Sequence, residues 1–435
     1  MTAVLVAGAG PAGLLLAAEL ALAGVEVEVV DAAPARWPHP RGFTLSARSL
    51  ELLDRRGLAE RFLAEGPVVT YGMFVPGVFL DLSTMDTDHP YTLGIAQNRV
   101  DELLEEWLAE LGVRVRWGSE VVGFSQDSDG VDVVVGDERR RFSYLIGCDG
   151  SRSFVRKHAG IAFPGVDATS YGLIADVEAD YDALATGEVF VLPRPGYVRI
   201  VLEEPEPRSG PVEFEYVREL LNARLGREVP LGRPLWLTRF SDAARQAERY
   251  VHGRVVLAGD AAHVHPPAGA VGVNVALADA MNLGWKLAAT VLGRAPAGLL
   301  QTYHDERHPA GARVLRTTRA QSLLGGETLS PVRELLADLN GVAGKHLAEL
   351  VTGVDTRYDA RIPGAHPLLG RLAPNVAVEV GGRSTTVAEL LRPGRPVLLD
   401  DLDGHGGVLI RPDGHVAWVA DPATLTTAIE TWTGP

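Results

Sequence analysis

The turn Gly8-Ala9-Gly10-Pro11-Ala12-Gly13 constrains this chain more than any other stretch. It lies between an apolar strand pattern, Ala3 to Ala7, and a Leu- and Ala-rich helix pattern, Leu14 to Ala23. Val25 to Asp31 then alternates as a strand does. In a β-α-β unit opened by glycines at this spacing, the first glycine permits the tight turn. The second lets a pyrophosphate approach the backbone, and the third lets the helix lie against the strand. Asp31 closes the second strand, placed to accept from ribose hydroxyls. The pattern predicts an α/β, Rossmann-like domain that holds a dinucleotide.

Two more strand patterns end in a carboxylate. Tyr144 to Gly147 leads to Asp149-Gly150 and then to Arg152 and Arg156, which could attract a pyridine-nucleotide phosphate. Arg254 to Ala258 ends in Gly259-Asp260, and a Pro/Gly-rich loop follows. The next helix carries Asp279, Asn282, Trp285 and Lys286. Open α/β sheets bind ligands at the carboxyl ends of their strands. Asp260 can accept from ribityl hydroxyls there. Gly272-Val273-Asn274 offers backbone donors at a helix start, which suits negative charge on the pyrimidine edge of a reduced flavin. His263 and His265 read as structural hydrogen-bonding residues, and with no further ligand nearby they predict no metal site.

At 435 residues, two or three packed units are expected. The balance of 41 Lys+Arg against 56 Asp+Glu gives −15, a surface that repels nucleic acid and anionic membranes. Cys148 is the only cysteine. That excludes an intrachain disulfide, a paired-thiol redox centre and a cysteine-built metal site, and it fits a reducing cytosol. The N-terminal region has no basic segment before its apolar run, and Leu14 to Val25 contains Glu19 and is short for a bilayer. A cytoplasmic protein is the expectation.

The scaffold pattern covers 1–70, 96–165 and 241–330, the expected cofactor domain. Segments 71–95 and 166–240 are richer in Pro, Tyr, Phe and strand signals, and read as an inserted sheet domain for substrate. Residues 331–435 read as a helical connection and a C-terminal unit, with Asp413-Gly414 as a hairpin turn.

These motifs, in this order, resemble the FAD-dependent aromatic hydroxylases of the para-hydroxybenzoate hydroxylase fold. The resemblance is closer to the bacterial hydroxylases that tailor aromatic polyketides. It extends through PRGFTLSARSLELLDRRGL (40–58), TRFSDAARQAERY (238–250), TYHDERHPAGARVL (302–315) and RPDGHVAW (411–418). It implies non-covalent FAD, with Gly8, Gly10, Pro11, Ala12 and Gly13 at the pyrophosphate and Asp31 at the adenosine ribose. Arg41 and Gln97 match the family's flavin-side Arg and Gln. Val122 matches a strand position that touches adenine through its backbone. Asp149 and Arg152 match a motif linked to both FAD and NAD(P)H. Asp260 would hold the ribityl chain, and Pro267, Gly272, Val273 and Asn274 would line the isoalloxazine.

The implied reaction uses NADPH or NADH as a transient reductant and O2, and hydroxylates a phenolic polyketide through a C4a-hydroperoxyflavin. Tyr71, Phe74, Phe79, Tyr91, Tyr197, Arg199 and Trp236 are the substrate-side candidates, and no general base identifies itself. The chain departs from the family at Gly269-Ala270-Val271-Gly272, where Gly-Gly-Gln-Gly is usual. The C-terminal unit reads as an abbreviated thioredoxin-like domain without cysteine, which leaves it a structural role or an oligomer contact, as in a homodimer. Other readings are Baeyer–Villiger or epoxidation chemistry on the same fold, or a non-catalytic drug-binding protein.

Overall fold

The structure, a computed structural model, describes residues 4–206 and 208–433. β1 (Val4–Ala7) leads through the glycine turn into α1 (Pro11–Leu22), and β2 (Val27–Val30) follows. Every β1 side chain is buried, as expected of a strand inside a sheet covered on both faces. α1 is buried from Ala12 to Leu20, which its Leu- and Ala-rich composition allows. Its one acid, Glu19, is paired with buried Arg56, whose Nη2 donates to Oε2 at 2.7 Å. α2 (Gln97–Glu110) buries Val100, Leu103, Leu104, Trp107 and Leu108, the stripe that a 3.6-residue period produces.

β3 (Tyr144–Gly147) pairs parallel with β1, Val4 opposite Tyr144. The sheet has six strands in the order Val251–His252, Val255–Leu257, β3, β1, β2 and Val115–Arg116. Only Val251–His252 at one edge is antiparallel to its neighbour. β2 and β3 flank β1 on opposite sides, so the chain switches direction across the sheet at β1. The carboxyl ends there carry Gly8, Asp31, Asp149 and Asp260 together, at the switch point where such sheets bind ligands.

The chain divides into two compact units. The second comprises Gly165–Arg245 and His265–Pro267. Within it, β4 (Tyr171–Val177), β5 (Phe190–Arg194), β6 (Tyr197–Glu204) and β7 (Pro234–Ser241) form an antiparallel sheet in the order β5-β6-β4-β7. α3 (Phe214–Leu225) covers one face, packing Val217, Leu221 and Leu225 against Leu173, Ala175 and Ile200.

All other described residues belong to the first unit. It includes α4 (Gly272–Val291) and α5 (Gln301–Leu324). Residues 71–95 also fold here rather than with the second unit's sheet. They form the hairpin Tyr71–Val75/Val78–Asp81, whose Phe74, Val75, Val78 and Leu80 pack with Leu336, Leu347 and Val351. The C-terminal stretch does not separate as a third unit. Its strands Val397–Leu399, Val408–Ile410 and Val416–Val419 make an antiparallel sheet with the Asp413-Gly414 turn between the last two. Buried bonds tie it to the rest: Arg411 Nη1 to Glu306 Oε1 (2.7 Å), Arg55 Nη2 to the Ala373 carbonyl (2.7 Å) and Arg56 Nη1 to the Leu391 carbonyl (3.0 Å). Among the described residues, no helix is long and apolar enough to cross a membrane.

Candidate flavin site

The glycines of the first turn do different work. Gly8 has φ +107°, and a Cβ there would stand 2.2 Å from the Cys148 carbonyl oxygen. A Cβ on Gly13 would stand 1.9 Å from the Gly8 carbonyl oxygen. Both positions exclude any side chain. A Cβ on Gly10, by contrast, would meet nothing within 4 Å. Gly10 is the N-cap of α1 and supplies no side-chain cap, and Pro11 follows at the first helical position. The N–H groups of the first turn therefore look onto an open backbone surface, the arrangement that receives phosphate oxygens. Asp31 is locked nearby, Oδ2 accepting from Ala9 N–H and Oδ1 from Ala33 N–H, each at 2.8 Å. A carboxylate has further lone pairs for ribose hydroxyls.

Gln97 begins α2, and its N–H donates to the Gly42 carbonyl at 3.0 Å; Arg41 is exposed on the adjoining loop. Val122 lies on the strand Val121–Gln126 and is half exposed. Asp101, next to these residues, is a perturbed carboxyl that the sequence motifs do not mark. It follows Gln97 by one helical turn and so shares its face. Its Oδ1 has no hydrogen-bond partner, and burial pushes its carboxyl up to about 7 against the opposing pull of Arg36 and Arg41. An i, i+4 acid after the helix-starting Gln97 is the signal that could have found it.

At the end of β3, Asp149 organises the helix Phe154–His158. It accepts from Ser153 Oγ at 2.5 Å and from Val155 N–H at 3.0 Å, and burial raises its pKa. Arg152 is exposed. Arg156 is withdrawn as a phosphate ligand. It is buried, donates to the Ala261 and Ser151 carbonyls at 2.9 and 3.0 Å, and lies 3.7 Å from the Phe163 ring centroid.

The Gly259 turn sits against α1: φ is +61°, and a Cβ on Gly259 would stand 3.0 Å from Ala12 Cβ. This brings Asp260 beside the glycine turn. Asp279, fully buried on α4, fixes the turn from behind. Its Oδ2 accepts from Gly259 N–H at 3.1 Å and His263 Nε2 at 2.7 Å, and its Oδ1 accepts from Arg307 Nε at 2.7 Å. Burial works to raise the Asp279 pKa, but Arg307 and His263 hold it below the usual carboxylate range. His263 thus has the structural role expected, with Nε2 bearing the proton.

α4 starts at Gly272 without a side-chain cap, so its first-turn N–H groups remain available to an anionic ring edge. The Asn274 side chain is spent elsewhere: Oδ1 accepts from Ser46 N–H (2.8 Å) and Ser49 Oγ (2.7 Å), while Nδ2 donates to the Thr44 carbonyl (3.3 Å). Only its backbone can serve a flavin. Gly269 and Ala270 both adopt positive φ, +73° and +51°. Pro267 is exposed and belongs to the second unit.

The substrate-side candidates scatter. Tyr71 and Phe79 are exposed on the first unit's hairpin, Phe74 is buried in that hairpin's core, and Tyr91 bonds His89 Nδ1 at 2.9 Å. Tyr197, Arg199 and Trp236 share one face of the second unit's sheet.

Comparison with known proteins agrees with this geometry. Residues 1–318 match the family described as FAD binding domain, and residues 400–435 match aromatic-ring hydroxylase, C-terminal. The chain is 39% identical to the 12-dehydrotetracycline 5-monooxygenase/anhydrotetracycline 6-monooxygenase of Streptomyces rimosus subsp. rimosus, with 99% of each chain covered. It is also 39% identical to the rifampicin monooxygenase of Streptomyces venezuelae, over 99% of this chain and 98% of the relative. Among solved structures, CabE, an aromatic hydroxylase from angucycline biosynthesis, superposes with a TM-score of 0.92 at 38% identity, covering 100% of this chain and 99% of that one. An open phosphate cradle, an acid after each of three strands and an uncapped helix start fit the FAD that the family match names. The chain belongs to the FAD-dependent monooxygenases of the aromatic-ring hydroxylase family.

Proposed function

We propose that this monooxygenase hydroxylates a phenolic, aromatic polyketide, using NAD(P)H and O2. The observation that carries the reading is near full-length likeness to enzymes named for tetracycline, rifampicin and angucycline substrates. In balance, one ring C–H, one O2, one NAD(P)H and one proton give a phenol, water and NAD(P)+.

The residues divide the work of holding FAD. The α1 N-terminus and the bare Gly10 backbone would take the pyrophosphate, and Asp31 the ribose. Asp260 would take the ribityl hydroxyls, and the α4 N-terminus the pyrimidine edge, where its dipole favours negative charge. Arg152, exposed after β3, is the arginine left to meet a pyridine-nucleotide phosphate. Bound FAD supplies the two-electron and oxygen chemistry; the protein supplies position, charge stabilisation and exclusion of water. Asp260→Ala is expected to fold but to purify largely without flavin.

The test is anaerobic reduction of the bound flavin by NADPH and by NADH, with and without a panel of phenolic polyketides. At least one phenol should speed reduction many-fold and, on admitting air, gain one oxygen as a new ring hydroxyl by mass and NMR. A ring-expanded lactone would replace hydroxylation by Baeyer–Villiger chemistry. No acceleration and no oxygenated product across the panel would overturn the substrate class.

A further inference from the structure

A small cavity of about 20 Å³ lies against the flank of α4, at Ala278, Met281 and Asn282. Arg48 and Leu52 wall it from the helix Ala47–Asp54. Thr356 and Tyr358 close another side with Arg307 of α5, and Asp413 and His415 bring in the C-terminal turn. All of these residues belong to the first unit. Room of this size holds one water or one monatomic ion and nothing larger.

Its polar walls are rich in protons to donate and poor in places to receive one. Arg48 Nε and Nη2 donate to the Gly353 and Val354 carbonyls at 3.1 and 2.6 Å, and Nη1 is buried without a hydrogen-bond partner. That nitrogen stands 2.9 Å from Glu51 Oε2, which is buried without a partner too, so the two are misaligned. The Tyr358 hydroxyl accepts from Arg307 Nη1 at 3.0 Å. Among the described residues nothing accepts its own proton, which burial makes harder to lose. Thr356 Oγ1 accepts from Arg313 Nη2 at 3.3 Å and likewise has its proton to give. Asn282 Nδ2 gives one proton to Glu306 and keeps a second. The acceptors are already committed. Both oxygens of Asp413 take bonds from Arg411, and Oδ1 takes the His415 N–H as well. Burial lowers the His415 pKa, so its ring is neutral and offers one lone pair.

A water placed here would add two protons of its own, with one ring nitrogen to take them. A halide adds none and accepts from every side. The charge also suits an anion. Besides Arg48 and Arg307, Arg55 lies under Gly414 with Nε and Nη1 buried and without hydrogen-bond partners. The acids acting on Arg55 are Glu51, Asp54 and Asp88. A buried ion is tolerated where charges and hydrogen bonds surround it. We propose that this cavity binds one halide ion, chloride under physiological conditions. Arg48 Nη1, the Tyr358 and Thr356 hydroxyls and the Asn282 amide hold it. The ion bridges the helix Ala47–Asp54, α4 and the segment at Thr356 and Tyr358, so its binding stabilises the folded chain. Sulfate and phosphate exceed the room.

The test uses the FAD-loaded protein and two readouts. In crystals grown with sodium bromide, anomalous scattering should show one bromide among Arg48, Thr356 and Tyr358. In solution, chloride replaces gluconate at constant ionic strength. Raising it from about 1 to about 100 mM should lift the melting temperature by about 3 °C and then level off, as saturable binding requires. Thr356→Val removes one donor at nearly constant volume, and should move the half-saturating chloride about ten-fold higher with FAD content unchanged. Ala278→Val fills the space, and should abolish both the bromide peak and the rise. Should Ala278→Val fail to fold, the Thr356→Val shift decides. No bromide in the cavity, or a melting temperature that ignores chloride, overturns the site. A rise with the same midpoint in Thr356→Val places the ion elsewhere and overturns it as well.

Discussion

Replacing Asp279 by alanine removes the one acceptor shared by the Gly259 turn, His263 and Arg307. The larger cost is at Arg307, which is buried and would lose its carboxylate. Orphaning one member of a buried ion pair costs about 3–5 kcal/mol. The Tyr358 hydroxyl at 3.0 Å and the Val275 carbonyl at 3.4 Å still hold the guanidinium, which argues for the lower end. The lost bond from Gly259 N–H adds about 1 kcal/mol. A total near 4 kcal/mol is a large fraction of the roughly 5–15 kcal/mol that stabilises a folded domain. The variant should therefore fold but unfold at much lower urea, and its loosened Gly259 turn should bind FAD weakly. Urea unfolding followed by far-ultraviolet circular dichroism, with flavin content measured on the same samples, gives both readouts. The pH dependence has a definite sign. A carboxylate whose folded pKa is depressed contributes stability that is present above its unfolded pKa of about 4 and is lost as pH falls through the folded pKa. The gap between wild type and Asp279→Ala should thus narrow in acid. Pairing Asp279→Leu with Arg307→Met should recover much of the loss, since no charge is then orphaned. An unshifted urea midpoint with full FAD, or a gap that stays constant into acid, would refute this account.

Gly13→Ala should fail to give folded protein, because its Cβ would stand 1.9 Å from a carbonyl oxygen, whereas Gly10→Ala should fold normally and lose FAD affinity. Equal thermal stability of the two apoproteins would contradict the division of roles between these glycines. Ala270→Gly should raise thermal stability by about 0.5 kcal/mol, because φ +51° costs an alanine roughly 1–2 kcal/mol and glycine recovers it less its own entropy. A lower melting temperature would show that the strain is absent. Asp101, with its carboxyl raised to about 7, contributes stability fully present below its unfolded pKa of about 4 and lost as pH rises through the folded value of about 7. In flavin-free protein, Asp101→Asn should flatten that dependence and gain about 2 kcal/mol in mild alkali, allowing for solvent at a part-exposed site; denaturation midpoints across pH measure it.

What is legible in the sequence is local. The glycine turn, Asp31 and the strand ends are set by backbone sterics and short periodicities, so residue order alone is enough to place Gly8, Gly13 and Asp260. Side-chain commitments are not legible, because they depend on partners far away in the chain. Arg156 reads as a phosphate ligand beside Arg152, yet it is consumed by the Ala261 carbonyl. Asn274 reads as a backbone donor at a helix start, and nothing local tells that its side chain holds Ser46 and Ser49. The segment 71–95 shares composition with 166–240, but composition does not say which core its hairpin's apolar face enters, and the partners Leu336 and Leu347 come much later.

The same distance dependence explains the C-terminal stretch, whose composition suggests a separate unit. Glu306 on α5 accepts from Lys286 Nζ and Asn282 Nδ2 on α4, and from Arg411 in the C-terminal sheet, at 2.6–2.9 Å. Arg411 in turn donates to Asp413 at 3.1 Å. Burial drives Lys286 down to about 7 despite Glu306, so these ions are not there for strength alone. Well-packed apolar residues would often stabilise such a core as well or better. What charges add is direction: each bond tolerates one geometry, so the network fixes the rotation and register of α4 against α5. α4 presents its first-turn N–H groups at one end and Asp279 on its flank. A helix free to rotate would misaim both. Arg411 and Asp413 are therefore best understood as supports for the orientation of α4, the helix proposed above to meet the flavin, which accounts for a C-terminal sheet that joins the first unit rather than standing apart.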